Sequence, residues 1–386
     1  MSTTPQLHSD SPSINSASAP LSNPKAGAAH QPEGEAAEDL PSVAVSYEHS
    51  ANLALVLERL QLSVLLSTYQ AGRVVALGSH QGQLQVGFSH FDQAMGLCRT
   101  GTGIAVGSRD AIWLLPASRE IAPRIEPAGS HDIAFLARQA HHTGPLMGHD
   151  LAWAEGRLWL VNTLFNGLVT LEGNWSFVPQ WKPPFISAWA PGDRCHLNGL
   201  AMAEGGGAPA WATVLGECDQ EDGWRENKAT GGCLLAVPSG QVVLRGLSMP
   251  HSPRLYNGQL YVLNSGHGAL LRVDPLTGSS DTVAVLPGYT RGLDCFGGYA
   301  FIGLSQIRET AVFGGLPLQE DGRELRSGLA IVKLATGEIE SLFWFHSGVE
   351  EIFSICVLPG YINPVVIGPD TNTDDTPTIW MVPEGA

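Results

Sequence analysis

The chain has 386 residues, with 21 Lys and Arg against 37 Asp and Glu, a formal net charge of −16. This charge, with no basic stripe to offset it, argues against a nucleic acid partner. No apolar run reaches the roughly 18 residues that a membrane helix needs, so no membrane partner is predicted. At 44% hydrophobic residues the chain can bury a large core, and its 45 glycines and 26 prolines are typical of a fold with many turns.

The cysteine pattern and the N-terminus bear on the compartment. The six cysteines are scattered and none forms a CxxC pair, which indicates buried thiols in a reducing environment. The N-terminus has neither a basic segment nor an apolar segment of the kind found in secretory signals. The sequence therefore predicts a cytoplasmic protein.

Three regions follow one another along the chain. Residues 1–45 are rich in Ser, Pro, Ala and Asn, with few large apolar side chains, and are predicted to be a disordered tail. Residues 50–61 have helical apolar spacing, with Asn52 or Ser50 as the N-cap, and predict a short helix. From about residue 62 onward, short alternating runs separated by Gly, Asn, Asp and Pro predict strands. Residues 46–386 are thus expected to form one all-β domain.

An internal repeat predicts the architecture of this domain. Six segments share an apolar anchor residue near the start of a strand, at spacings of 38 to 62 residues. The anchors are Leu97, Leu151, Leu200, Leu255, Leu293 and Ile355. A period of this length with several strands per unit predicts a β-propeller. Six anchors favour six blades, with seven as the alternative, and the strands at 62–90 should close the ring beside the C-terminal strands.

The polar residues just before the anchors are candidates for a functional site. The first strand of each propeller blade lines the central channel, and positions two and four before an anchor share one face of that strand. Burying polar groups there costs free energy unless they bind a ligand or one another. The residues that these positions predict for one layer of the channel are His149, His196, His251, Asn198, Tyr289, Arg291 and Glu351.

These residue types predict a metal centre. Three imidazoles, His149, His196 and His251, can bind a divalent transition metal such as zinc, iron or copper. Glu351 is predicted as the fourth ligand or the general base. Arg291 and Tyr289 are predicted to hold an anionic group or to stabilise developing negative charge. Two alternatives stay open: a metal-free polar binding site, and a purely structural hydrogen-bond network.

Three further residues are predicted to contact substrate. Asn198 belongs to the channel layer, Asp92 precedes the first anchor, and Arg308 follows an inner strand. The structural alternatives are a turn-stabilising role for Asp92 and a loop ion pair with Glu309 for Arg308. Asp193 and Arg194, shortly before His196, are candidates to orient that imidazole, and a tight turn explains them equally well.

The motifs resemble a bacterial family of conserved hypothetical proteins over about residues 60–370. They are the segments 67–72, 95–97, 149–151, 177–181, 193–201, 249–254, 290–293 and 350–353. The resemblance implies a propeller-like protein and carries no known activity. More loosely, the chain is similar to six-bladed gluconolactonase-like hydrolases and to propeller lyases that act on hydroxyglycine peptides. The lyases use three histidines on zinc, with a Tyr and an Arg nearby, which agrees in residue type with the predicted channel layer.

Two functions from different classes follow. The first is a metal-dependent hydrolase or lyase acting on a small molecule or a peptide end in the channel. The second is a non-catalytic propeller that recognises a protein partner through rim insertions at 216–230 and 306–327. In the second case the histidines only brace the channel.

Overall fold

The computed structural model describes residues 45–307, 314–320, 322, 324–371, 374 and 376–382. Strands dominate these residues and form six sheets, which are the blades of a β-propeller. The predicted all-β class, the propeller and the count of six blades are confirmed. The predicted tail falls almost wholly on residues 1–44, which lie outside the described residues.

Three blades each take four antiparallel strands from one continuous stretch of chain. The strands of blade 3 are Gly148–Ala154, Arg157–Asn162, Gly167–Thr170 and Val178–Trp181. The strands of blade 4 are Leu197–Met202, Pro209–Val214, Gly232–Ala236 and Val242–Leu247. The strands of blade 5 are Pro250–Tyr256, Gln259–Asn264, Ala269–Val273 and Ser280–Val285.

The other three blades combine distant parts of the chain. The strands of blade 1 are Ser354–Pro359, Leu62–Ser67, Arg73–His80 and Gln83–His90. The strands of blade 2 are Leu97–Arg99, Gly103–Gly107, Ala111–Ser118, Ile133–Leu136, Gln139–His142 and Pro364–Ile367. The strands of blade 6 are Tyr289–Phe296, Tyr299–Ser305, Ser327–Lys333, Ile339–Ser347 and Ser46–His49.

The innermost strands form a closed ring in which each contacts the next. All six predicted anchors lie on these strands, which explains why the repeat was visible in the sequence. The ring is closed by Ser354–Pro359, which pairs antiparallel with Leu62–Ser67 in register from Leu62 opposite Pro359 to Ser67 opposite Ser354. The predicted closure of the strands at 62–90 by C-terminal strands is therefore confirmed.

Tight turns connect several of these strands. Gln81–Gly82, Glu155–Gly156 and Asn257–Gly258 each form a two-residue hairpin loop with positive φ at both residues. This geometry belongs to the type I′ turn, whose twist matches that of the strands it joins. Glycine at the second position adopts the left-handed conformation without steric cost.

The predicted helix near the N-terminus is present as Leu53–Leu60. Asn52 is the N-cap, but its side chain donates to the carbonyl of Glu340 and accepts from Ser341, so the helix is fastened to blade 6 rather than capped by that side chain. Leu53, Val56 and Leu57 are buried in a cluster shared with blades 1 and 6. The strand Ser46–His49 before the helix was not predicted.

Short helical segments lie in the connections between strands. They are the 3-10 helices Ala122–Arg124, Glu204–Gly206, Gly223–Asn227 and Ser265–His267 and the one-turn α-helix Pro317–Glu320. Within the described ranges, no helix has the length and apolar character required to cross a membrane.

Candidate functional site

A cavity of about 290 Å³ lies where the inner strands begin, at one end of the central channel. Residues just before or at the start of each inner strand line this cavity, and residues further along the same strands line a second cavity. All six inner strands therefore run away from the first cavity. The cavity walls combine imidazoles, charged groups, aromatic rings and thioethers. The lining residues are Tyr69, Gln93, Met95, Arg109, Pro145, Met147, His149, Asp193, His196, Trp224, Arg225, Met249, His251, Tyr289, Arg291, Glu351 and Phe353.

His149 and His251 occupy equivalent positions on blades 3 and 5. Nδ1 of His149 lies 2.8 Å from the carbonyl oxygen of Met147, and Nδ1 of His251 lies 2.9 Å from that of Met249. A carbonyl can only accept, so Nδ1 carries the proton in each ring and Nε2 carries the lone pair. Both side chains are buried, and both line the cavity.

His196 reaches the same cavity from blade 4 with a different partner. Its Nδ1 donates to the carboxylate of Asp193, at 2.9 Å from each oxygen. Nε1 of Trp224 donates to the same carboxylate at 3.2 Å, and the indole packs against the His196 ring with centroids 4.5 Å apart. Both His196 and Asp193 have positive φ, at 49° and 41°. The strained backbone and the two hydrogen bonds together fix the orientation of this imidazole.

Arg291 and Glu351 form a buried ion pair on the cavity wall. Nη1 of Arg291 donates to Oε1 of Glu351 at 2.7 Å, and the two side chains are only 9% and 10% exposed. The guanidinium stacks on the ring of Phe353, with its central carbon 3.5 Å from the ring centroid. One face of the guanidinium is therefore covered by an aromatic ring, and its in-plane N–H groups do the hydrogen bonding.

Burial and the nearby cations keep two of the imidazoles neutral. Burial lowers the pKa of His149 well below its usual value, and the adjacent His196 and Arg291 lower it further. Burial also lowers the pKa of His251 well below its usual value, and Arg291 again adds to the effect. Burial raises the pKa of Tyr289, so its hydroxyl stays protonated at neutral pH. These groups therefore present neutral lone pairs and a protonated hydroxyl.

The structure brings together six of the nine predicted site residues. His149, His196, His251, Tyr289, Arg291 and Glu351 all line the cavity. Asn198 does not: its amide nitrogen donates to the carbonyl of Pro250 and its amide oxygen accepts from Thr213, so it ties blade 4 to blade 5.

The other two predicted substrate contacts also lie elsewhere. Asp92 does not line the cavity, but its carboxylate is 2.8 Å from Nε of Arg109, which does. Its place is thus in a half-exposed ion pair that holds Arg109 at the cavity. Arg308 lies outside the described residues.

The repeat alignment was displaced by two residues in blade 5. Gly148 pairs with Asn162 and Pro250 pairs with Asn264, and in each strand a register shift follows directly. His251 therefore corresponds to His149, and Pro253 rather than Leu255 corresponds to the anchor Leu151. The residues of blades 3 and 5 that stand at the position of His196 are Met147 and Met249, and all three residues have positive φ.

Several lining residues were not singled out from the sequence. Arg109, Trp224 and Arg225 lie in loops or insertions outside the repeat pattern, and Tyr69 lies in a turn within the motif 67–72. Trp224 belongs to the insertion predicted to form a protein-binding rim, yet it is only 2% exposed and packs with Met249, Tyr289 and Leu318. An aromatic residue inside an otherwise polar insertion was the available signal.

The three cavity histidines are chemically suited to bind a metal, although their rings are not placed to hold one ion together. Each Nδ1 is held by a carbonyl or a carboxylate, which is the usual way proteins orient metal-binding histidines. Across the part of the chain that the structure describes, no group of three or more His, Cys, Asp or Glu side chains is placed to hold an ion. His149 and His196 instead meet edge to face, with centroids 4.7 Å apart. Binding by all three rings would therefore require side-chain reorientation.

Comparison with known families gives one match over most of the chain. The profile of a family described as a domain of unknown function, DUF4915, matches residues 51–367. The chain belongs to the DUF4915 family. The match includes every inner strand of the propeller, and with them the strands that carry the cavity residues. Among curated proteins, none matches the chain.

Solved structures give distant similarities. A chain from a nidogen/laminin complex is 8% identical, with a TM-score of 0.46, covering 78% of this chain and 98% of that one. A protein of unknown function from Bacteroides caccae is 11% identical, with a TM-score of 0.44, covering 77% of this chain and 99% of that one. At TM-scores below 0.5, neither similarity supports an inference about this DUF4915 protein.

Proposed function

We propose that this DUF4915 propeller is a metal-dependent hydrolase or lyase that acts on a small molecule or a peptide end in the central cavity. The observation that carries the proposal is that the protein holds the same ring nitrogen in three cavity histidines. His149, His196 and His251 each have Nδ1 held by a protein acceptor, which leaves the Nε2 lone pair for a ligand. Imidazole donors favour zinc, iron or copper over calcium.

The Nε2 atoms of His149, His196 and His251 would hold the ion. When bound, a divalent metal supplies Lewis acidity and makes a bound water more acidic. The protein holds His196 most firmly, since Asp193 and Trp224 fix its ring. Replacing Asp193 should therefore weaken metal binding without removing a ligand atom.

Other cavity residues act on the substrate in this proposal. Arg291 binds an anionic group of the substrate, and Glu351 positions the guanidinium and is the candidate general base. Tyr289 donates a hydrogen bond, because burial keeps its hydroxyl protonated. Phe353 and Trp224 limit the access of water, which strengthens electrostatic interactions inside the cavity.

A metal-free binding propeller is the second candidate. It is favoured by the edge-to-face packing of His149 and His196, which gives the two rings a contact that needs no ion. In this case the same cavity binds its ligand in two ways. The imidazoles form hydrogen bonds with the ligand, and Arg291 and Glu351 interact with its charged groups. Recognition of a protein through the insertion at 216–230 is less favoured, because Trp224 of that insertion is packed inward.

We further propose a cytoplasmic location. All six cysteines are free, and four of them are buried. Burial raises the pKa of the Cys98 and Cys195 thiols well above the usual value, which makes them inert structural residues. Free thiols in this number suit a reducing compartment.

Elemental analysis of protein purified without chelators tests the metal. We expect about one equivalent of zinc, iron or copper per chain, and its loss in the double variant His196→Ala/His251→Ala. The matched control is His142→Ala/His267→Ala, which replaces two exposed histidines and should leave the metal content unchanged. Folded, metal-free protein that also fails to bind added Zn²⁺, Fe²⁺ or Cu²⁺ by calorimetry would overturn the metal proposal and leave the binding propeller.

A further inference from the structure

We propose that the cavity ligand is a small zwitterion, an α-amino acid with an apolar side chain. Its carboxylate would bind Arg291 and its ammonium group would bind Glu351. The inference rests on the proposed function only in taking this cavity as the ligand site, and it holds with or without a metal.

The first support is the charge pair itself. Arg291 and Glu351 place opposite full charges next to each other on one cavity wall, with 2.7 Å between their bonded atoms. Both side chains are about nine-tenths buried. An ion pair this far from solvent is costly to form, and apolar residues of similar size would serve a purely structural role at least as well.

The balance of charge explains why a ligand should carry both signs. A ligand with only a carboxylate would compete with Glu351 for Arg291 and weaken the ion pair. A ligand with only an ammonium group would compete with Arg291 for Glu351 and weaken it in the same way. A zwitterion offers each member of the pair an additional group of opposite charge, so it replaces the interaction that it weakens.

The other polar residues of the cavity wall also fall into two groups, one suited to an amine and one suited to a carboxylate. His149, His196 and His251 each have Nδ1 held by a protein acceptor, so Nε2 is the ring nitrogen that can contact an amine of the ligand. Arg109 and Arg225 line the same cavity and carry positive charge, which suits a carboxylate. This acceptor-rich and cation-rich combination occurs in a protein whose formal net charge is −16.

Size and surface chemistry define the remainder of the ligand. At about 290 Å³ the cavity is at the small end of ligand pockets, so the molecule must be small. Tyr69, Phe353, Met95 and Met147 contribute apolar surface to its lining. Aromatic rings and thioethers favour an apolar side chain on the ligand.

Two trios of compounds test the proposal, each made of an amino acid, its analogue without the amino group and its analogue without the carboxylate. The first is L-phenylalanine, 3-phenylpropionate and 2-phenylethylamine; the second is L-leucine, 4-methylpentanoate and 3-methylbutylamine. Binding is measured by ligand-observed NMR and calorimetry on the full chain. In at least one trio the amino acid should bind about tenfold or more tighter than both analogues, because each analogue can interact favourably with only one member of the buried ion pair.

Variants assign the two ends of the ligand. Glu351→Gln should abolish the difference in affinity between the amino acid and the carboxylate analogue. Arg291→Met should abolish the difference in affinity between the amino acid and the amine analogue. Asp281→Asn, in the exposed pair with Arg272, is the matched control and should change neither. Circular dichroism checks that each variant is folded.

Two outcomes contradict the inference and differ in what they say about the proposed function. If in both trios a singly charged analogue binds as tightly as its amino acid, the zwitterion is wrong and the cavity remains a ligand site. If none of the six compounds binds, the zwitterion is also wrong. Metal analysis then decides separately whether the proposed metal chemistry survives.

Discussion

The two ends of the central channel differ in how they use buried charge. At the end where the inner strands begin, three imidazoles each have one nitrogen fixed by the protein and the other left for a ligand. At the far end, the charged side chains are used to join blades. Polarity alone therefore does not mark a candidate site in this propeller. What distinguishes the candidate site, among the described residues, is hydrogen-bonding capacity that the protein itself does not use.

Asp150 shows the structural use most clearly. Its carboxylate accepts two hydrogen bonds from Arg254, at 2.8 and 3.0 Å, and further bonds from the backbone N–H groups of Leu151 and Leu200. One side chain thus links blades 3, 4 and 5. Asp294 links blade 6 to blade 1 by accepting from the N–H groups of Cys295 and Val357.

Removing Asp150 should have the largest effect on stability. Asp150→Ala leaves Arg254 and two backbone donors without their acceptor, so we expect a loss of about 3–5 kcal/mol in the free energy of unfolding. Urea unfolding measures it. Asp281→Ala breaks the exposed pair with Arg272 and should cost at most about 1 kcal/mol. Similar losses in the two variants would contradict the structural role of Asp150.

Trp224→Phe should have an intermediate effect. The change keeps an aromatic ring against His196 but removes the donor to Asp193, so we expect about 1–2 kcal/mol of destabilisation. Metal binding should weaken as well, since His196 loses part of its support. Trp175→Phe, at a side chain that is 71% exposed, is the control for urea unfolding and metal titration. An unchanged metal affinity in Trp224→Phe would contradict the support of His196 by Trp224.

Acidification should destabilise the metal-free protein through the buried imidazoles. The folded state lowers the pKa of His149 and His251, so below about pH 6.5 the unfolded chain binds protons that the folded chain does not. This stability is present above pH 6.5 and declines as the pH falls. At pH 5.5 the loss should be about 1 kcal/mol for each imidazole.

Urea unfolding with a chelator between pH 7.5 and pH 5.5 measures this loss. His251→Gln should make the dependence on pH shallower, and His267→Gln, at an exposed histidine, should leave it unchanged. If His251→Gln left the pH dependence as steep as in the natural chain, the buried imidazoles would not be its source.

Much of the fold could be predicted because one repeat controls it. Each blade needs an apolar inner strand to pack against its neighbours, and Leu97, Leu151, Leu200 and Ile355 mark those strands in the sequence. The ring closure followed from strands at 62–90 that lacked an inner partner. The helix Leu53–Leu60 was visible from its spacing, whereas all four residues of the strand Ser46–His49 are exposed, so the strand has no alternation of buried and exposed positions to detect.

The site was less predictable because blades differ locally. In blade 5 the residue that corresponds to the anchor Leu151 is Pro253, so the alignment took Leu255, two residues later, as the anchor. Asn198 has the right position but finds protein partners in Thr213 and Pro250. Trp224 and Arg109 reach the cavity through tertiary contacts that no periodic pattern encodes.

The closing strand has a consequence for biosynthesis. Tyr69 follows the strand Leu62–Ser67 near the start of the domain, and Phe353 directly precedes the last inner strand, Ser354–Pro359. Their aromatic rings are nevertheless in contact, with centroids 5.5 Å apart. A ribosome must therefore release most of the chain before Glu351 and Phe353 can meet the residues made earlier. A nascent or prematurely terminated polypeptide would carry all three histidines without the wall that completes their cavity.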